Sequence, residues 1–265
     1  MQIEPNPRMP GRLAGKFSLH RLRKDEKGIA AVEFALILPL MLTLYLGSSE
    51  VTNGVLASRK LSIVARTLSD IVAQQSLATS PECTQTGVCN ATMTAVFGSA
   101  QKIMSPFSGT SLQMTVSSID IKAKSTSPAA PTGKVYNNLV AVMRWSKTAP
   151  TPTGGTAATP RSCTTLLLPV VAGTAPALTN LPQGLYSTGG IIIADVAYTY
   201  TPTFGGVALT SLQGGGQTIT PDTTPGYAMK NTTYMRPRNW TTFVPYDTGG
   251  TPNCTAPSSS PDPTT

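Results

Sequence analysis

A single histidine, His20, serves all 265 residues. It sits in a basic stretch near the amino terminus, so Ser-His, Cys-His and His-metal arrangements have no histidine to use downstream. Charged residues make up only 12% of the chain and aromatics 6%. The four cysteines show no Cys-x-x-Cys or Cys/His spacing, which excludes a structural zinc site. No phosphate-cradling glycine loop joins a strand to a helix, and Gly214-Gly215-Gly216 lies in a polar loop. Asp120 and Asp195 fall inside strand-like runs and would have to meet across a sheet to act as a paired acid and base. With Lys122 beside Asp120, the ordinary reading is a pair of solvent-facing or ion-paired strand residues. No catalytic residue, metal or cofactor is expected, no small-molecule substrate, and no enzyme.

The formal charge of +8 does not imply nucleic acid. Seven cations (Arg8, Arg12, Lys16, Arg21, Arg23, Lys24 and Lys27) precede residue 29, against Glu4, Asp25 and Glu26. The remaining excess is spread thinly, without the clustering that a nucleic-acid face requires. Three Asn-x-Thr triplets, at Asn90, Asn231 and Asn239, are expected by chance in a Thr-rich chain.

What the chain does have is one long apolar run. From Ile29 to Leu46 the only charge is Glu33, and 18 residues is the threshold for a spanning helix. Only Pro39 and Thr43 interrupt the apolar surface after Phe34, so no polar face exists. A secretory signal peptide fits poorly, since its apolar region is typically about 7–15 residues and ends near a small-residue site. Basic residues beside a spanning helix mark the cytoplasmic side. Everything after Leu46 is then expected on the far side of the membrane.

Gly28 stands directly before this run, and Glu33-Phe34 follows Ile29-Ala30-Ala31-Val32. Basic residues, Gly, four small or apolar residues, Glu, an aromatic and a long apolar helix together resemble a type IV prepilin processing site. The run GIAAVEFALILPLML further resembles TadE/TadG-like pilus-assembly proteins of the tight-adherence (Tad/Flp) system. The resemblance implies cleavage between Gly28 and Ile29 by a membrane-embedded prepilin peptidase. It implies an assembly role for Glu33, with Phe34 and the leucines as packing, and other pilin or pseudopilin subunits and Tad inner-membrane machinery as partners. Pro39 is the expected kink. Weaker likenesses appear at Ala194–Phe204 and Tyr234–Arg238. The Asp-x-Ser-x-Ser metal motif of some TadG-type relatives is absent, so no metal site carries over.

Past the run, Leu61, Val64, Ala65, Leu68, Ile71, Val72 and Gln75 recur at helical spacing, and Val51, Gly54, Val55 and Ser58 extend that face backwards. A helix from Ile29 to about Ala78 is expected. Thr92–Met104 reads as a short helix. Strands are expected at Leu112–Val116 with Ile119 and Ile121 after a bulge, and at Val135–Trp145, Ile191–Tyr200 and Tyr227–Met235. Thr148–Pro160, Phe204–Pro225 and Tyr246–Thr265 read as loops. Cys83, Cys89, Cys163 and Cys254 fit disulfides in an oxidising compartment, with Cys83–Cys89 and Cys163–Cys254 favoured among three pairings.

The expected fold is α+β, pilin-like: a long N-terminal helix packed on a small antiparallel sheet with long loops. Its parts are a cytoplasmic leader (1–28), a transmembrane helix (29–46), an amphipathic continuation (47–79) and an exported, disulfide-stapled β-rich domain (80–265). The expected protein is a minor pilin or pseudopilin of the bacterial inner membrane, single-pass, with a periplasmic C-terminal domain. The alternative is an uncleaved, membrane-anchored binding or scaffold protein. Its contact surface would come from Trp145, Tyr186, Tyr198, Tyr200, Tyr234 and Trp240.

Overall fold

The computed structural model describes residues 28–75, 88–124, 135–163, 166–203, 226–241, 244 and 246–247. The chain divides into two compact units, Met1–Ser48 and Ser49–Thr265. One helix, α1 (Ile29–Ala73), contributes to both. Its Leu- and Ala-rich composition favours helix. The hydroxyls of Thr43 and Ser48 donate back to the carbonyls of Leu40 (2.9 Å) and Tyr45 (2.9 Å), so even these polar groups are satisfied within the helix.

In the second unit α1 buries one stripe: Ala57, Leu61, Val64, Ala65, Leu68 and Val72. Upstream the buried edge runs through Glu50 and Ala57, whereas Val51, Val55 and Ser58 are exposed. The backward extension of the face is therefore corrected. Both edges satisfy helical spacing from Leu61, and the sheet takes the one that ends on Glu50. The helix stops at Ala73, short of the expected Ala78, and 76–78 lie outside the described residues. Its last carbonyls are met from far along the chain. The Arg238 amide donates to Ala73 (2.9 Å), Asn239 Nδ2 to Gln74 (2.8 Å) and Trp240 Nε1 to Gln75 (3.0 Å). These are groups that a helix end otherwise leaves orphaned.

A second helix, α2 (Asn90–Ile103), follows the two-residue strand β1 (Val88–Cys89) and buries Met93, Val96, Phe97 and Ala100. The main sheet is antiparallel, in the order β3-β4-β2-β7-β8, from β2 (Gln113–Ala123), β3 (Val135–Tyr136), β4 (Leu139–Thr148), β7 (Gly189–Tyr200) and β8 (Tyr227–Met235). Val135–Trp145, expected as one strand, is a hairpin. Asn137 (φ 52°) and Asn138 (φ 58°) form its two-residue turn, the positive-φ pair that a type I′ turn demands. Two small parallel pairs were not expected: β5 (Leu168–Val170) with β6 (Asn180–Pro182), and β1 with β9 (Tyr246–Asp247).

The phase change in β2 has an unexpected cause. The strand pairs with β7 without interruption from Gln113 to Ile121. Met114 and Val116 join the core under the helices, while Ile119 and Ile121 join a second core on the opposite face. Strict alternation delivers both, because the apolar residues change sides midway. The register does shift against β4, between Ser118 and Ile119, where Arg144 is the residue left over. The sheet is thus covered on both faces: by α1 and α2 on one, and by the 166–186 region with Leu167, Leu181 and Tyr186 on the other.

Candidate functional site

Gly28, Ile29, Glu33, Phe34 and Pro39 all lie at the start of α1. The helix places Glu33 one turn after Ile29 and on one side with Ile29, Leu36, Ile37 and Leu40, by i−4, i+3, i+4 and i+7 spacing. Every residue from Ile29 to Tyr45 is exposed, with Phe34 at 66%, Leu36 at 75% and Tyr45 at 71%. The most apolar 18-residue window of α1 has a mean hydropathy of 2.2 and no buried residue. By length and composition this is the one helix among the described residues able to cross a membrane. No described side chain pairs with Glu33. A carboxylate in lipid costs about 2.5–3.5 kcal/mol near the helix centre, so an unpaired Glu33 calls for a partner. Pro39 lacks the N–H that would bond the Ala35 carbonyl, and the helix runs through it.

In the second unit the structure brings a buried carboxylate of α1 against β7. Glu50 is 6% exposed. Its Oε2 accepts from the Tyr200 hydroxyl (2.7 Å) and its Oε1 from the Thr203 amide (3.0 Å). Phe107 packs edge-on against Tyr200 at 6.1 Å. Burial, and after it the hydrogen bond to Glu50, pushes the Tyr200 phenol up to about 12. No local pattern announces this node, since its partners lie some 150 residues away.

Asp120 and Asp195 do not form an acid/base pair. Asp120 stands opposite Gly190 and Asp195 opposite Thr115, on opposite faces of the sheet by alternation. Each is neutralised separately. Asp120 meets Arg144 (3.1 Å) and Lys122 (3.5 Å). Asp195 is held in a fork by Arg161, Nε to Oδ2 at 2.7 Å and Nη2 to Oδ1 at 2.9 Å, and also accepts from the Thr232 hydroxyl (2.8 Å). Arg161 is 1% exposed, and its Nη1 donates to the carbonyls of Ala177 (3.1 Å) and Leu178 (2.9 Å). It locks two loop segments to β7. A cleft of about 410 Å³ lies beside this clasp, with Thr115, Asp195, Lys230 and Thr232 in its lining.

The aromatic surface proposed for a binding module is largely interior. Trp145, Tyr186, Tyr198 and Tyr200 are at most 6% exposed, and Tyr234 and Trp240 are half-buried. Trp145 Nε1 donates to the Val244 carbonyl (2.6 Å) and its ring packs on Tyr246 at 5.0 Å. Cys89 and Cys163 are disulfide-bonded. Cys83 and Cys254 lie outside the described residues, as do residues 1–27, 204–225 and 248–265.

No curated protein and no solved structure gives a match to the chain. Residues 28–68 match the family model described as TadE-like protein. The matched stretch begins at Gly28, takes in Glu33 and the whole apolar run, and ends within the buried stripe of α1. Over residues 28–68 the chain is thus similar to TadE-like proteins.

Proposed function

We propose that this protein is a minor pilin or pseudopilin of a Tad/Flp-type pilus, processed between Gly28 and Ile29 by a prepilin peptidase. The observation that carries the reading is the start of α1: a helix with no buried residue from Ile29 to Tyr45, a single carboxylate one turn in, and a TadE-like match that begins at Gly28. The basic leader stays in the cytoplasm of a bacterial cell, α1 crosses the inner membrane once, and the second unit faces the periplasm. There the disulfides of Cys89 and Cys163 persist, with Cys83 and Cys254 as their respective partners.

Cleavage would create a new ammonium at Ile29, beside a carboxylate that has no partner among the described residues. In a bundle of such helices Glu33 of one subunit would pair with the amino terminus of a neighbour. A buried charge is tolerated only when its counter-charge is present. The chemistry is assembly, with no bond made or broken by this chain. Mass spectrometry of the N-terminal peptide from the native host tests the reading. A start at Ile29 is expected. A start at Met1 or Met9 would overturn processing and leave an uncleaved anchor.

A further inference from the structure

The side of α1 that faces away from the sheet in the second unit mixes uncovered apolar residues with polar ones. Val51, Val55, Leu56 and Ile63 are 40%, 47%, 42% and 51% exposed. Val51, Val55, Arg59 and Ile63 succeed one another at four-residue intervals, which makes a ridge of the kind that seats in the groove of another helix. Arg59, within the ridge, and Arg66, three residues past its end, are both exposed, and neither side chain is bonded to any described residue. Lys60 is different. Its ammonium is spent on the carbonyls of Ile103 (3.0 Å) and Ser105, which fixes the end of α2.

The two arginines decide what covers the ridge. A second copy would set cation against cation, which is unfavourable at contact distances. Nor do the described side chains of this unit offer a free acid in exchange. Glu50 is bonded to Tyr200, Asp70 to Arg238 (2.7 Å), Asp120 to Arg144 and Asp195 to Arg161. We infer that residues 51–66 of α1 are a docking ridge for an amphipathic helix of a different, acidic subunit, with Val55 and Ile63 as apolar anchors and Arg59 and Arg66 as the charge selectors. Complementary charge of this sort sets partner choice and orientation more than raw affinity. The inference does not depend on processing at Gly28.

The test is site-specific photocrosslinking of the full-length protein in its host membrane. A benzophenone amino acid replaces Val55 or, separately, Ile63, and exposed Lys102 on α2 serves as the control position. Both ridge positions are expected to give one adduct with the same foreign protein, its crosslinked peptide a helix bearing Asp or Glu at three- or four-residue spacing. The Arg59→Glu, Arg66→Glu double variant should lower that adduct about tenfold, from the loss of two exposed ion pairs and their replacement by repulsion. Acid-to-Lys changes in the partner peptide should restore it. An adduct with a second copy, with lipid alone, at Lys102 equally, or one indifferent to the charge reversal would overturn the inference. The N-terminal peptide read from the same sample reports processing independently, so either reading can fail without the other.

Discussion

Arg161→Met should be among the most damaging single substitutions in the second unit. The methionine keeps most of the stem but removes every donor of a side chain that is 1% exposed. Asp195 loses both arms of its fork and keeps only the Thr232 hydroxyl, while the carbonyls of Ala177 and Leu178 lose their donor. Removing one partner of a buried pair typically costs 3–5 kcal/mol. Because the Asp195 side chain keeps 14% of its exposure, the lower end applies, about 3 kcal/mol. With a urea dependence of about 2 kcal/mol per molar, the midpoint should fall by about 1.5 M. The assay is a urea titration of the full-length protein in lipid nanodiscs. Tryptophan fluorescence reports on it, since buried Trp145 and half-buried Trp240 both belong to the second unit. The companion double variant, Arg161→Met with Asp195→Leu, removes the stranded carboxylate as well and should recover about half of the loss or more. A single variant within about 1 kcal/mol of the parent, or a double variant worse than the single, would refute the clasp as the element that holds these loops to β7.

Three further outcomes follow from the same geometry. Burial raises Tyr200 and Tyr246 from 10 to about 12, so both states are protonated below pH 10, and between 10 and 12 only the unfolded chain releases these protons. Stability should therefore hold up to pH 10 and fall as pH rises through 12, with Tyr200→Phe blunting the fall in alkaline fluorescence titrations. Leu68→Ala, at a fully buried position, should cost about 2–5 kcal/mol in the urea assay, whereas Leu36→Ala, at 75% exposure, should leave the second unit's midpoint unchanged. Glu33→Ala should leave insertion and N-terminal processing intact while pilus output drops, measured by surface shearing and immunoblotting; normal output would sink the assembly role.

The elements that could be read from sequence are those whose signal is carried by neighbours in the chain. The apolar run announced itself because a helix without a polar face needs no tertiary context to be recognised. The stripe from Leu61 to Val72 and the span Tyr227–Met235 were legible for the same reason. The hairpin at Asn137-Asn138 was within reach, since asparagine tolerates positive φ, but without glycine the signal is weak. Glu50 and Arg161 were not legible at all. Glu50 follows Leu-Gly-Ser-Ser and Arg161 follows a Thr/Pro/Gly-rich stretch, both of which read as surface; what buries them is Tyr200 in one case and Asp195 in the other. The expected bulge does fall between Ser118 and Ile119, against β4, but the switch of faces in β2 has another origin. A change of apolar phase looks like a bulge when one face of the sheet is assumed wet, and here both faces are covered.

That two-sided cover bears on why a chain so poor in charge buries an arginine as deeply as Arg161. The helix face of the sheet is closed mainly by apolar stripes, and the one buried carboxylate of β2 on that side, Asp120, is held by Arg144 and Lys122. The opposite face is closed by segments rich in Thr, Pro and Ala, which bring few large apolar side chains beyond Leu167, Leu181 and Tyr186. Their backbone carbonyls, once removed from water, must be met by donors. Arg161 supplies them, and Asp195 on β7 makes its burial tolerable. The TadE-like match stops at Leu68, before any of these residues. The shared segment therefore describes how a helix passes from an all-apolar surface to a one-faced one. The clasp, the hairpin and the Glu50–Tyr200 contact all draw on residues beyond that segment, so differences in partner or surface chemistry among chains that share the segment are to be sought in the sheet unit.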